Sequence, residues 1–421
     1  MQLLLVIWFV LCYILIIGEH RFRINKAAAA LLAGAGCWLI LAVQGKSEAS
    51  FWMKTTEEIA GIAFFLLGAM SIVEIIDSHD GFAFLSARIP QKSYPVLVWS
   101  ISLLSFFLSA LLDNLTTTIV MITLLRKIIT RAELRLPIVA LIVVAANAGG
   151  VWSPMGDVTT TMLWLNGKVE SMALIQHLFL PALLSVAVPS AYIAHFSAVN
   201  KKEYDAYRQS TSIQAEAGMP ASAYWIGAVG FVLLLAVPIT KSFLHLPVYV
   251  LMLFAMAILW AFTELIRIFK KEESHELHTV STILQRIDTP SILFFVGLLL
   301  AISALEFGGY LHQLMDFLLA QTQNMRILTV AIGALSAVVD NVPLVAASMK
   351  MLPAIDFPSN SEVWYWLAFC AGTGGSLLVI GSAAGVAAMG MEKLDFMRYI
   401  RLISLPAILG LLLALAWLSL V

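Results

Sequence analysis

Apolar residues in this chain come in long unbroken runs, not in the alternation of a half-buried strand or the one-sided stripe of a surface helix. Runs of about 17–25 residues are long enough to cross a bilayer as helices. They lie near residues 2–17, 27–43, 57–76, 136–165, 172–195, 224–240, 247–268, 288–306, 363–389 and 402–421. Two further stretches, 94–130 and 326–355, each carry two apolar arms around a polar tip. Met1–Ile17 has no basic leading segment and no A-x-A-like cleavage site, so it reads as a retained span and not as a signal peptide. The pattern predicts an all-α polytopic membrane protein.

Composition agrees. The 421 residues are 61% hydrophobic and 12% charged, against about 45–50% and about 25% in soluble domains. That excludes an ordinary soluble enzyme, and disorder needs the opposite balance. A formal net charge of −1 with no dense basic patch argues against a nucleic-acid binder. Cys12, Cys37 and Cys370 lie far apart in apolar runs, which is neither a disulfide framework nor a metal cluster.

Lys and Arg collect in cytoplasmic loops. With the N- and C-termini outside and each polar-tipped pair returning to its own side, 19 of the 25 Lys and Arg residues fall inside. Lys46, Lys54, Lys168, Lys241, Arg326 and Lys350 fall outside. Charge alone does not separate a re-entrant hairpin from two short full spans; the chemistry of the tips must do so. Trp52, Trp99, Trp225, Trp364 and Trp366 mostly fall near span ends, as interfacial anchors do.

The chain repeats itself. SALLDN, starting at Ser109, matches SAVVDN, starting at Ser336. NAGGVWSPMGD (147–157) matches GTGGSLLVIGS (372–382), with a Gly-Gly pair and a later Gly in both. LGAMSIVE (67–74) matches LLAISALE (299–306). Three blocks in one order at nearly constant offset predict a duplication: a first repeat over 1–195, a cytoplasmic linker at 196–222 and a second repeat over 223–421. Each repeat carries an odd number of crossings plus one hairpin (94–130, 326–355) and one interrupted span (136–165, 363–389). An odd number inverts the second copy, the plan of many secondary transporters. No phosphate-binding loop is present to power a pump.

Asp113-Asn114 and Asp340-Asn341 sit at the two tips. A carboxylate inside a membrane is costly and needs a partner or a wet cavity. Side-chain oxygens, helix ends and free carbonyls at such a tip suit a hard cation such as Na⁺. Helix capping by the same Asp and Asn is the plainer alternative, but it leaves the recurrence in both halves unexplained. Gly149, Gly150, Pro154 and Gly156 interrupt one span, and Gly372, Gly374, Gly375 and Gly381 the other. Gly and Pro disfavour helix interiors, so both spans are expected to unwind where protein or a cavity shields them. Close helix packing is the bland reading of these glycines. The halves differ: Asp157 and the Thr116–Thr118 and Thr159–Thr161 runs lack full counterparts in the second. The main site is expected to lean on Asp113, Asn114, Asn147, Asp157 and Thr159, closed by Asp340 and Asn341. Acids that share one site bind protons in competition with a cation, which is the basis for antiport.

Glu74 and Glu306 occupy equivalent span ends and read either as proton-entry groups or as interfacial charges. Glu264 and Arg267 form an i, i+3 pair. His79 and Asp80 lie just past a span and read either as a pH-sensing pair or, more plainly, as solvated loop residues, and Lys201–Arg208 and Lys270–His278 read as solvated linker.

SALLDNLTTTIVM followed by NAGGVWSPMGDVTTTMLW, with AGIAFFLLGAMSIVEIIDSHDGF upstream, resembles the NhaD-type bacterial sodium/proton antiporters of the ion transporter superfamily. The resemblance runs from about Ile59 to Gly390. Where dicarboxylate and arsenite carriers of that superfamily commonly have Ser-Asn-Thr at the tips, an Asp stands here in place of the Ser, which suits a cation. The resemblance implies Na⁺ or Li⁺ and H⁺ as transported ions, re-entrant hairpins meeting unwound helices at a midplane site, a homodimer with a mobile transport unit, a bacterial inner-membrane location and no cofactor. It also implies roles for Ser109, Thr160 and Ser336 beside the residues above; Thr116 completes the candidate set. The reading is a secondary transporter exchanging Na⁺ or Li⁺ for H⁺. A Na⁺-coupled carrier of a small anion is the nearest rival. A membrane-embedded hydrolase lacks a Ser-containing elbow or H-E-x-x-H, and a passive channel differs in turnover.

Overall fold

The computed structural model describes residues 2–17, 22–45, 48–79, 81–82, 89–90, 93–196, 204–206, 221–244, 246–270, 280–322, 324–352, 356–392 and 394–420. Among them every regular element is a helix. In chain order these are α1 (Gln2–Ile17), α2 (Lys26–Val43), α3 (Ala49–Ser78), α4 (Tyr94–Ser109), α5 (Asn114–Ile128), α6 (Ala132–Gly150), α7 (Val158–Leu165), α8 (Ser171–Phe196) and α9 (Ala221–Leu244). There follow α10 (Val248–Lys270), α11 (Val280–Leu284), α12 (Thr289–Phe307), α13 (Tyr310–Gln321), α14 (Met325–Ser336), α15 (Asn341–Met351), α16 (Glu362–Gly374) and α17 (Ala383–Glu392). The last, α18 (Phe396–Leu418), contains a π-helical turn at Ile400–Ser404. Among the described residues eight helices are long and apolar enough to cross a membrane, so the chain is a multi-pass membrane protein.

Both polar-tipped stretches break where the sequence places the tip. The first runs α4, Ala110–Asp113, α5, and the second α14, Ala337–Asp340, α15. Both Gly-Gly spans are interrupted too. Val151–Asp157 separates α6 from α7, and Gly375–Ser382, with one 3-10 turn at Val379–Gly381, separates α16 from α17. Three features differ from the pattern-based expectation. Helix α3 begins at Ala49, well before the expected 57, because Thr55 is buried and Glu58 has an ion-pair partner, so the polar first turns are held. Helix α13 is a short extra element. Its alternating polar and apolar residues are too few to read as a span. Helix α18 starts at Phe396, where Asp395 caps it by accepting from the Arg398 N–H. Most of the 196–222 linker, Asp80 and 271–279 lie outside the described residues.

The chain forms two compact units, and each draws on both halves of the sequence. Unit 1 comprises Met1–Asp80, Trp225–Gln323 and Ala346–Asp356. Its centre is the crossing of α2 and α12, where a Cβ on Gly34 would stand 2.4 Å from the Gly297 carbonyl oxygen. Trp38 pins that crossing: its indole N–H donates to Leu300 O at 3.0 Å and its ring packs on Trp52, Phe51 and Phe307. The i, i+3 pair of Glu264 and Arg267 forms as expected, at 2.8 Å.

Unit 2 comprises Gly81–Tyr224, Asn324–Val345 and Phe357–Val421. The duplicated sequence blocks make duplicated contacts here. Ser109 Oγ donates to Ala146 O at 2.6 Å, and Ser336 Oγ donates to Ala371 O at 2.7 Å. A Cβ on Gly149 would stand 2.2 Å from Phe106 O, and one on Gly374 would stand 2.1 Å from Gly333 O. Each hairpin's first arm is thus pressed backbone to backbone against the end of an interrupted helix, which only glycine permits. Both tips and both breaks therefore come together inside one unit.

Candidate cation site

Asp157 is the centre of the polar cluster in unit 2. It stands at the N-cap position of α7 but makes no side-chain capping bond. Its carboxylate, 3% exposed, takes donors from elsewhere. Asn341 Nδ2 donates to Oδ2 at 3.0 Å, Thr159 Oγ1 donates to the same oxygen, and Asn114 Nδ2 reaches Oδ1 at 3.4 Å. One amide comes from each hairpin tip, so the buried acid is held between the two halves of the chain. Asn114 also donates to Asn147 Oδ1 at 2.8 Å, and Asn147 Nδ2 donates to Ser382 Oγ at 3.0 Å. The close approach of the α16 end completes the enclosure: a Cβ on Gly372 would lie 3.3 Å from Asp157 Oδ2.

The other two acids play different local parts. Asp113 caps α5, accepting from Thr116 N at 2.8 Å and from Thr116 Oγ1 at 2.7 Å. Capping, the plainer role considered from the sequence, is thus what its carboxylate and Thr116 do in this structure. Asp340 Oδ1 accepts from Val342 N at 3.2 Å. Both are half-buried.

The remaining expected residues shape the backbone. Ser109 and Ser336 tie hairpin to interrupted helix as described. Thr160 Oγ1 donates to Asp157 O at 2.9 Å and Thr161 Oγ1 to Pro154 O at 2.9 Å, which hold the Val151–Asp157 segment in place. Gly150 and Gly156 touch across that break, where a Cβ on Gly150 would lie 2.4 Å from Gly156 O. Gly375 and Gly381 do the same in the second half at 2.9 Å. Glu74 and Glu306 do not belong to this cluster. They lie in unit 1, where Glu74 accepts from Ser78 Oγ at 3.3 Å and Glu306 pairs with Lys350 at 3.3 Å. Lys350 also pairs with Glu58 at 2.6 Å.

Two groups were not singled out from sequence. Ser382 is the position equivalent to Asp157 in the second half, and that correspondence was the signal for it. Thr117 and Thr118 were visible only as part of a hydroxyl run. They follow Asn114 by three and four residues, hence share its helix face. Both are wholly buried with hydroxyls that have no hydrogen-bond partner, whereas Thr123 on the same helix bonds back to Ile119 O.

Chemically, this is an oxygen-rich cluster with one buried and two half-buried carboxylates. No Lys or Arg side chain takes part in its hydrogen bonds among the described residues. The asparagine amides offer either N–H donors or a carbonyl oxygen, depending on which way they are turned.

Comparison with known proteins places the chain. The family model described as citrate transporter (CitMHS) matches residues 13–372. Sodium/proton antiporter 2 of Arabidopsis thaliana is 41% identical over 394 residues, covering 93% of each chain. The Na(+)/H(+) antiporter NhaD of Alkalimonas amylolytica is 30% identical over 416 residues, covering 91% of this chain and 83% of that one. Among solved structures, the Alcanivorax borkumensis YdaH transporter, described as having an unusual topology, superposes with a TM-score of 0.60 at 14% identity. That match covers 94% of this chain and 98% of the other, and is a likeness of fold alone. The chain is therefore a membrane transporter that belongs to the citrate-transporter (CitMHS) family, with the NhaD-type sodium/proton antiporters among its relatives.

Proposed function

We propose that this protein exchanges Na⁺ or Li⁺ for H⁺ across the cytoplasmic membrane, with cation and proton competing for the carboxylates around Asp157. The observation that carries this reading is a buried acid gripped by one asparagine from each hairpin tip. Three carboxylates in one such cluster cannot all stay ionised without counter-charge. A cation supplies it when the asparagines turn their carbonyl oxygens inward; protons supply it when the cation has left. Lowering the pH therefore raises the Na⁺ concentration needed for half-maximal exchange.

The family description as citrate transporter favours a second reading, a Na⁺-coupled carrier of a small anion. An anion would meet carboxylates and no basic side chain in this cluster, which argues for the cation. In the proposed topology the repeats are inverted, both termini face outward, and two copies form a dimer around scaffold units. The resemblance to bacterial antiporters suggests a bacterial inner membrane.

The test is an everted-vesicle assay with a dye that reports the pH gradient, run with Na⁺, Li⁺, K⁺ and Ca²⁺ at several pH values. Na⁺ or Li⁺ should collapse the gradient through the parent and not through Asp113→Asn. Equal collapse by both proteins removes Asp113 from the site; uptake of labelled succinate without any gradient loss establishes the anion carrier instead.

A further inference from the structure

Glu392, the last residue of α17, is buried to 1% side-chain exposure at the face where Arg126 and Arg135 are expected to be cytoplasmic. Arg135 binds it in a fork, Nε at 3.0 Å and Nη2 at 2.6 Å to Oε2. Arg126 Nε donates to Oε1 at 2.6 Å, and its Nη2 donates to Met391 O at the end of the same helix. Arg135 Nη1 also donates to Ile129 O at 2.7 Å and Thr130 O at 3.0 Å, the exit of the first hairpin. One carboxylate thus joins α5 and α6 of the first half to α17 of the second.

The opposite ends of the same helices carry the cation site. Helix α6 leads from Arg135 to Asn147, and α17 leads from Ser382, just before its first residue, to Glu392. At 1.5 Å per residue these paths are ~18 Å and ~15 Å. That is about half of the ~30 Å bilayer core. The antiparallel pair is tied twice, by Asn147–Ser382 at the site and by Arg135–Glu392 at the face.

The second tie matters because of what α17 is made of. Its sequence AAGVAAMGME offers little side-chain area to lock it by packing. Its counterpart at the 225-residue offset, α7, is anchored by the buried Met162, Leu163 and Trp164. At the positions that answer to Arg135 and Glu392, Asn360 and Gly167, the link is neutral. Asn360 N donates to Lys168 O at 2.8 Å, and Glu170 N donates to Asn360 Oδ1 at 2.8 Å. Among the described residues, the ionic clamp therefore joins the side whose helix lacks large buried side chains, and its counterpart positions are joined by neutral hydrogen bonds.

We infer that Glu392, through Arg135 and Arg126, is a positioning residue for the cation site: it fixes α17 against α6 and so holds Ser382 on Asn147. This inference rests on the antiport reading. Purified parent, Glu392→Gln, Arg135→Gln and the double variant are reconstituted in proteoliposomes, and the rate of Na⁺-driven pH change is measured against Na⁺ concentration. Each single variant raises the half-saturating Na⁺ about fivefold or more with the maximal rate within about twofold. The double variant is no worse than the singles, because both act through one contact. Glu362→Gln, which breaks the exposed Arg326–Glu362 pair (2.7 Å), leaves both parameters unchanged. If Glu392→Gln does not accumulate, Arg126→Gln, whose side chain is 43% exposed, carries the test. A lower thermal midpoint with unmoved half-saturation shows a merely structural pair and overturns the inference while leaving antiport intact. A parent that gives no Na⁺-dependent signal overturns both.

Discussion

Asp157→Asn separates the charge of the central acid from its shape. In the folded protein the new amide can keep its oxygen where Oδ2 was, still accepting from Asn341 and Thr159. Its nitrogen then faces the Asn114 Nδ2, which already lies at a long 3.4 Å. One poor donor–donor contact in a buried place costs about 1 kcal/mol, so the variant should fold and accumulate. The loss for a bound cation is larger. A unit charge about 4 Å from a carboxylate at an effective dielectric of about 20 gains about 4 kcal/mol. That corresponds to about a thousandfold in affinity. The assay is the proteoliposome Na⁺ titration, with size-exclusion profile and thermal midpoint recorded on the same preparation. A well-folded Asp157→Asn protein whose half-saturating Na⁺ stays within about tenfold of the parent would refute the placement of the cation on Asp157.

Three further outcomes follow from contacts elsewhere. Gly149→Ala and Gly374→Ala each push a methyl to within 2.2 Å and 2.1 Å of a backbone carbonyl. Both should lose about 1–3 kcal/mol of stability, read as a lower thermal midpoint in detergent, and an unchanged midpoint in either would contradict the backbone contact. Thr117→Val replaces a buried hydroxyl that has no partner, so stability should hold or rise, while half-saturating Na⁺ rises about threefold if that hydroxyl serves the site. Unchanged transport would assign Thr117 to packing alone. Lys350→Met leaves Glu58 and Glu306 facing each other without their shared cation. With the lysine 20% exposed, the cost should be about 2 kcal/mol, and Lys350→Met/Glu58→Gln should recover part of it in the same thermal assay.

Much of this molecule was legible from its residues in order. Long apolar runs must become helices in a bilayer, because unpaired backbone groups there have no water to bond. An Asp-Asn pair in mid-run has to be a break, and paired glycines mark where a helix can stop against a neighbouring backbone. The positions of the two breaks at the polar tips and of the two interrupted spans could therefore be read from local pattern. The repeat offset tied Ser109 to Ser336, and the contacts of both serines are the same.

What the order of residues left open was which polar groups meet. Asp113 and Asp157 look alike in sequence, each followed by a hydroxyl run. Only the fold decides that Asp113 turns back onto Thr116 while Asp157 reaches across to Asn114 and Asn341. Nothing in the local pattern marks Glu392; only tertiary packing buries it between two arginines that precede it by more than 250 residues. The physical reason is range. Helix formation and breaking are settled within a few turns by solvent, propensity and sterics. The partner of a buried charge is settled by whatever distant helix packing brings within hydrogen-bond distance.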